Sequence, residues 1–428
     1  MMEAAYPAHE RYKPSGYDWV GDVPAHWAVE KLGTSLRAVS EKSRPDLPLL
    51  SITRERGVIE RDLDDEESNH NFIPDDLSGY KVLRAGQFGM NKMKAWQGSY
   101  GVSQHTGIVS PAYFIFDFTK EIDPDFFNRA IRSKLYVSFF GSASDGVRIG
   151  QWDLNKSRMR EIPLLVPPLP EQRAIAAFLD DKCAKIDGAV KIKEDQIALL
   201  RERRQITIQD AVTRGLNPAA EMKNSHASWL GEVPADWQVG PGRICVYENK
   251  DKNTGMKEST VLSLSYGRVI VKDEDKMTGL VPESYDTYQI VQPGDIIIRG
   301  TDLQNDVTSL RTGLAKDHGI ITSAYINLRP KPNADAEFLH YLLHSYDVKK
   351  VFYGLGSGLR QNLSYVDFKY LTIPLPSIKE QRAIVAFLDD ECAKVDRGIA
   401  IIKRQIAALA EYKTSLINAA VTGKIKVI

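Results

Sequence analysis

Apolar side chains recur at three- and four-residue steps along two long stretches of this chain. The first stretch runs from Pro170 to about Arg214 and carries Ile175, Phe178, Leu179, Ile186, Val190, Ile197, Leu200 and Ile208. The second runs from Lys379 to Thr422 and carries Ile384, Phe387, Leu388, Val395, Ile402, Ile406, Leu409, Leu416 and Ile417. This is the period of an amphipathic helix. Beyond its opening residue neither stretch holds a proline, and only Gly188 and Gly398 interrupt them. Forty-odd residues at 1.5 Å each predict a rod of roughly 65 Å. Such a helix needs a partner for its apolar stripe, and the duplicate helix is the obvious one. Both stretches end where glycine can take the C′ position, at Ala211-Val212-Thr213-Arg214-Gly215 and Ala420-Val421-Thr422-Gly423-Lys424.

Outside these stretches the pattern shortens to strand-like runs at 109–116, 162–166, 295–298 and 320–328. Turns are marked at Arg84-Ala85-Gly86, at Pro293-Gly294-Asp295 and by the glycines between 354 and 358. One short helix is predicted near 125–137, opened by Asp123-Pro124, and another near 336–348.

The chain says nearly the same thing twice. Pro167-Pro168-Leu169-Pro170-Glu171-Gln172-Arg173-Ala174-Ile175-Ala176-Ala177-Phe178-Leu179-Asp180-Asp181 returns as Pro376-Ser377-Ile378-Lys379-Glu380-Gln381-Arg382-Ala383-Ile384-Val385-Ala386-Phe387-Leu388-Asp389-Asp390. Trp19-Val20-Gly21-Asp22-Val23-Pro24-Ala25-His26-Trp27 returns as Trp229-Leu230-Gly231-Glu232-Val233-Pro234-Ala235-Asp236-Trp237. The reading is an α+β protein with an internal pseudo-two-fold repeat. Its predicted blocks are a polar leader at 1–18, a mixed domain at 19–167 and a long helix at 168–216. A linker at 217–228, a second domain at 229–376 and a C-terminal helix with tail at 377–428 follow. The second domain begins only some fifteen residues after the first rod ends, which favours antiparallel rods with one domain near each end.

Composition narrows the function. Hydrophobic content of 43% and charged content of 26% describe a folded chain, and no apolar run of membrane-spanning length occurs. The polar leader lacks a signal-peptide core. Net charge is zero, with 56 basic and 56 acidic side chains, so composition offers nucleic-acid binding no support. Cys183, Cys245 and Cys392 form no disulfide framework or metal cluster, and suggest helix-packing thiols in a reducing cytoplasm.

Catalytic signatures are missing. Gly354-Leu355-Gly356-Ser357-Gly358 is followed by Leu359-Arg360-Gln361 and lacks a phosphate-binding lysine. His340 and His344 have zinc-ligand spacing, but Tyr341 stands where a zinc protease has glutamate, so surface histidines are expected. The sequence reading therefore assigns no catalytic, cofactor or metal residue, and describes a binder.

The Pro-Leu-Pro-Glu-Gln-Arg-Ala-Ile element, repeated behind two dissimilar domains, resembles the specificity subunit of type I restriction–modification enzymes. The second copy departs at Ser377-Ile378-Lys379. The resemblance spans essentially the whole chain. It implies two target recognition domains, each reading one half of a split double-stranded DNA sequence, with a coiled coil fixing their spacing. It implies two modification subunits that bind S-adenosylmethionine and methylate adenine N6, and two restriction subunits that use ATP and magnesium. This chain would bind no cofactor and would choose where its partners act. A stand-alone DNA-binding scaffold and a protein-binding rod remain the alternatives.

Bases are read by Arg, Lys, Asn and Gln on loops and helix ends. In the first domain the candidates are Arg84, Gln87, Asn91, Lys92, Lys94 and Gln97, then Arg148, Gln151 and Lys156. In the second they are Arg299, Asp302, Gln304, Asn305 and Arg311, then Arg360, Gln361 and Asn362. The two late sets follow glycine-rich sequence and suit either a phosphate contact or a polar turn. The first domain's stretch from Asn91 to Gln104 has no counterpart in the second, so the half-sites are expected to differ. Glu171, Gln172, Arg173, Glu380, Gln381 and Arg382 suit either helix starts with internal ion pairs or a repeated partner-docking surface.

Overall fold

The computed structural model describes residues 6–62, 74, 76–148, 151–272, 284–301, 303–306, 308–355 and 362–428. It also leaves the side chains of 147, 148 and 151 outside the description. The chain divides into two compact units, Met1–Lys193 with Lys403–Ile428, and Glu194–Ile402. Each unit therefore combines one mixed domain with half of each long helix.

In the first unit a four-stranded antiparallel sheet runs in the order Leu36–Val39, Tyr113–Phe118, Phe88–Asn91, Tyr100–Val102. The second unit repeats that order with Val246–Glu248, Ile326–Pro330, Ile296–Ile298 and Thr312–Leu314. The runs predicted at 109–116 and 320–328 are each interrupted, as Gly107–Val109 with Tyr113–Phe118 and Gly319–Ile321 with Ile326–Pro330. In each domain one piece pairs away from the main sheet, Gly107–Val109 with Lys81–Leu83 and Gly319–Ile321 with Gln289–Val291.

The short helices form where capping chemistry starts them. Asp123 accepts the Phe126 N–H and Asp335 accepts the Glu337 and Phe338 N–H groups. The first differs from expectation, breaking at Arg132 and Ser133 into Pro124–Ile131 and Lys134–Ser142. The second is continuous over Ala336–Val348.

The long helices span Leu169–Arg214 and Ile378–Val421. Each stops at a left-handed glycine, Gly215 at φ +73° and Gly423 at φ +70°, a conformation that other residues adopt with strain. In the first unit Lys413 bonds Asp187 at 2.7 Å and Lys193 bonds Gln405 at 2.6 Å, so the helix segments run antiparallel there. In the second unit Arg204 bonds Asp396 at 2.9 Å. Ile175, Leu179, Ile186 and Leu416 join the first core, and Ile208, Ile384 and Leu388 join the second. Phe387, expected in the apolar stripe, is instead 39% exposed.

The leader and linker are not plain connections. Tyr12–Pro14 pairs with Asp22–Pro24, and Met222–Asn224 pairs with Glu232–Pro234 in the same register. The end of each long helix thus meets an equivalent hairpin: Gly215 approaches Trp237 and Pro234, and Gly423 approaches Trp27 and Pro24. Trp27 and Trp237 are both fully buried. The three cysteines are free and buried, and burial pushes the Cys245 thiol up to about 12. No helix among the described residues is long and apolar enough to cross a membrane.

Candidate nucleic-acid interface

Strand pairing brings distant lysines together in the first domain. Lys42 bridges Lys81 across two extended segments. Burial, then the neighbouring charges of Lys42, Lys156 and Lys92, hold the Lys81 ammonium below the usual lysine range. Lys81 donates to the Tyr113 carbonyl at 2.7 Å, and Lys156 lies 5.4 Å from the centre of the Phe114 ring. Asn91 donates to the Tyr113 hydroxyl at 3.2 Å, and Arg61 draws down a phenol that burial pushes up. Lysines gathered within reach of one another repel, a strain that Asp153 relieves only at Lys92, 3.4 Å away, so the arrangement favours a further anion. A polyphosphate backbone is the natural ligand for it. Lys92 and Lys156 were legible as candidates; Lys42 and Lys81 were missed, because only the fold makes them neighbours.

The other first-domain candidates divide. Arg84 is held by Glu41 through its Nε and Nη2 groups, with a closest distance of 2.8 Å. Gln87 accepts the Arg84 N–H and donates to Asp117 at 2.8 Å, so it serves the turn. Lys94 is exposed and Gln97 half-buried on the short helical turn Ala95–Gln97. Trp96 beside them stacks on Trp152, with ring centres 5.1 Å apart. Trp152 belongs to the hairpin of Ser144–Arg148 with Gln151–Leu154, in which Arg148 pairs with Gln151. The side chains of Arg148 and Gln151 lie outside the described residues.

The second domain corrects one expectation plainly. Arg311 is fully buried. Its guanidinium donates to the carbonyls of Arg299, Thr301 and Asp306 and to the Tyr353 hydroxyl. It is the internal brace of the 299–306 loop and presents no donor at the surface. Arg299 pairs with Asp306 in the same loop. Gln304 and Asn305 are exposed there, and Asn362 is exposed after the glycines. Asp302, Arg360 and Gln361 lie outside the described residues. Gln289 occupies the register position of Lys81 and is committed to the Thr322 and Tyr325 carbonyls. Among the described residues the lysine cluster is therefore found in the first domain, although Lys252 stands at the place of Lys42. The hairpin of Leu262–Ser265 with Arg268–Val271 instead raises Tyr266, 94% exposed, at its tip. Sequence reading missed Tyr266 because a lone tyrosine beside glycine carries no pattern.

The repeated Glu-Gln-Arg motif is mostly a joint. Gln172 is buried; its amide donates to the Pro167 carbonyl at 2.8 Å and accepts the Asp123 N–H at 2.9 Å. Gln381 does the same to Pro376 and Asp335, at 2.8 and 2.7 Å, and also donates to Asn333. Each glutamine welds the start of a long helix to the cap of its domain's short helix. Glu171 is buried and faces His26, while Glu380 accepts the Trp237 indole N–H at 3.0 Å. A repeated docking surface made of Glu171, Gln172 and Gln381 is thus overturned by their burial. Arg173 and Arg382 alone project outward, each near the capping aspartate at 3.8 and 3.9 Å. Further along, Asp180 meets Arg129 and Asp389 accepts the Tyr341 hydroxyl, a second rivet in each unit.

Replacing Gln172 or Gln381 by leucine leaves a buried N–H and a buried carbonyl unpaired. At about 1–3 kcal/mol for each orphaned group, a loss of about 2–6 kcal/mol is expected, read as a lowered urea midpoint. An unchanged midpoint would show that the joint is not held by the amide.

His340 and His344 are half-buried, contrary to the expectation of surface histidines. Burial pushes His340 down to about 4, and His344 is lowered for the same reason.

Comparison with known proteins agrees with this architecture. Residues 247–411 match the model of the type I restriction modification DNA specificity domain. The type I restriction enzyme MjaVIII specificity subunit of Methanocaldococcus jannaschii is 26% identical over 315 residues, covering 69% of each chain. Among solved structures, a chain of a type I R-M system superposes with a TM-score of 0.65 at 15% identity, covering 93% of this chain and 98% of that one. The HsdS subunit from Thermoanaerobacter tengcongensis gives 0.53 at 17% identity, covering 94% and 98%. Residues 247–411 thus carry the features of a type I restriction modification DNA specificity domain, and the chain as a whole is similar in sequence and fold to type I specificity subunits.

Proposed function

We propose that this chain is the sequence-reading, non-catalytic subunit of a type I restriction–modification complex. Each domain reads one half of a split, asymmetric double-stranded target, and the long helices set the spacing between the halves. The observation that carries this reading is one sheet order built twice, each copy joined to a long helix by the same buried glutamine, with unlike loops around it. Equal frames supply equal positioning, and unlike loops supply unlike readout. Two short half-sites read together are far rarer than either alone, which is the gain from linking two readers.

The resemblance supplies the partners. Two modification subunits would bring S-adenosylmethionine and methylate adenine N6, and two restriction subunits would bring ATP and magnesium. Arg173 and Arg382 are the outward-facing members of the repeated motif and the remaining docking candidates there. The complex would work in the cytoplasm.

Methylation mapping tests the proposal in cells carrying the partner methyltransferase with and without this chain. Loss of N6-methyladenine at one split, asymmetric motif is the expected result and would reveal both half-sites. An unchanged pattern with active methyltransferase would overturn it in favour of a scaffold.

A further inference from the structure

In the first unit three residues far apart in sequence converge where the leader, the turn before Trp27 and the start of the long helix meet. His26 Nε2 lies 2.7 Å from Glu171 Oε2, and His9 Nε2 lies 3.7 Å from Glu171 Oε1. One ligand atom from each residue falls within 4.8 Å of the others. The His9 side chain is 6% exposed, yet its Nε2 has no hydrogen-bond partner among the described residues. A buried ring nitrogen aimed at a carboxylate without bonding it calls for a bridging ligand.

The second unit builds the same corner differently. Glu380 there accepts the Trp237 indole N–H, while Asp236 and Ala219 stand at the places of His26 and His9. In the first unit Glu171 is turned to the histidines, and the Trp27 indole N–H is buried without a partner among the described residues. The polar satisfaction seen at one corner is thus withheld at the other.

We propose that His9, His26 and Glu171 bind a divalent transition-metal ion of the zinc class, tying the N-terminal segment to the long helix. Two imidazoles and one carboxylate are a zinc-type donor set, and the cleft lined by Glu10, Arg11 and Lys426 leaves room for a further ligand. Arg11 and Lys426 oppose a cation, and Glu10 offsets one of them. Tetrahedral bonds of about 2.0–2.1 Å place ligand atoms about 3.3 Å apart, so the widest ligand pair must close by about 1.5 Å, a side-chain adjustment at half-exposed His26. The proposal departs from the sequence-based expectation of no metal ligand, since the three residues form no local spacing motif.

The test uses the full, tag-free chain stripped with chelator and dialysed against micromolar zinc. One zinc per chain is expected, with a raised melting temperature. His26→Ala and Glu171→Gln are expected to weaken binding on the order of 100-fold, whereas exposed His226→Ala leaves it unchanged. Cobalt substitution is expected to give ligand-field bands without sulfur charge transfer. Zinc-free wild-type chain, unchanged binding in His26→Ala, or thiolate bands from the cysteines would each overturn the site.

Discussion

Arg311→Met is expected to destabilise the second domain by about 3–5 kcal/mol, the range for removing one member of a buried charged network. The guanidinium holds three carbonyls and a hydroxyl, and no water replaces it in a fully buried place. Asp347 adds to the effect. Burial pushes its carboxyl up, while the Arg311 N–H and charge favour its ionised form. Lysine does not rescue the site, because one ammonium cannot span the planar fork of donors. Hydrogen exchange across 299–311 is expected to accelerate together with a fall in melting temperature. Arg299→Met, which breaks a partly exposed pair in the same loop, is expected to cost under about 1 kcal/mol. Full stability of Arg311→Met with altered target preference would instead make Arg311 a reader.

Removing the lysine cluster is expected to have the largest effect on DNA affinity. Lys42, Lys92 and Lys156 changed together to glutamine leave Lys81, which is half-buried and bonded to Tyr113, in place. Each phosphate contact contributes a slope of about 0.9 in the logarithm of affinity against the logarithm of salt. The triple variant is therefore expected to lower the slope by nearly 3 and the affinity on the order of 100-fold near 0.1 M salt. Discrimination between targets is expected to persist, because phosphate contacts position the duplex and carry no sequence information. Fluorescence anisotropy across a salt series reads both quantities. An unchanged slope would move the interface elsewhere on the domain.

Local pattern carried the fold well where one short stretch suffices. Period marked the long helices, and glycine at 215 and 423 marked their ends within a residue or two. Proline and aspartate at 123–124 marked a helix start. Failure came where a residue's role depends on a distant partner. Arg311 and Lys92 are both cations in polar loops, yet one is a sealed brace and the other is 33% exposed. Lys42 and Lys81 became neighbours only through strand pairing. The Glu-Gln-Arg repeat was visible at once, but two readings stayed open until Gln172 and Gln381 were found inside the joints.

By itself the sequence determined that one unit occurs twice, that each copy ends in a long amphipathic helix, and which family the chain resembles. Those properties are written in periodicity and repeated motifs, which short-range sterics and hydrogen bonding translate directly. Tertiary structure decided which polar groups face inward, which cations share a surface, and how Glu171 is used differently from Glu380. These depend on desolvation and on contacts between residues tens to hundreds of positions apart, so no local pattern encodes them.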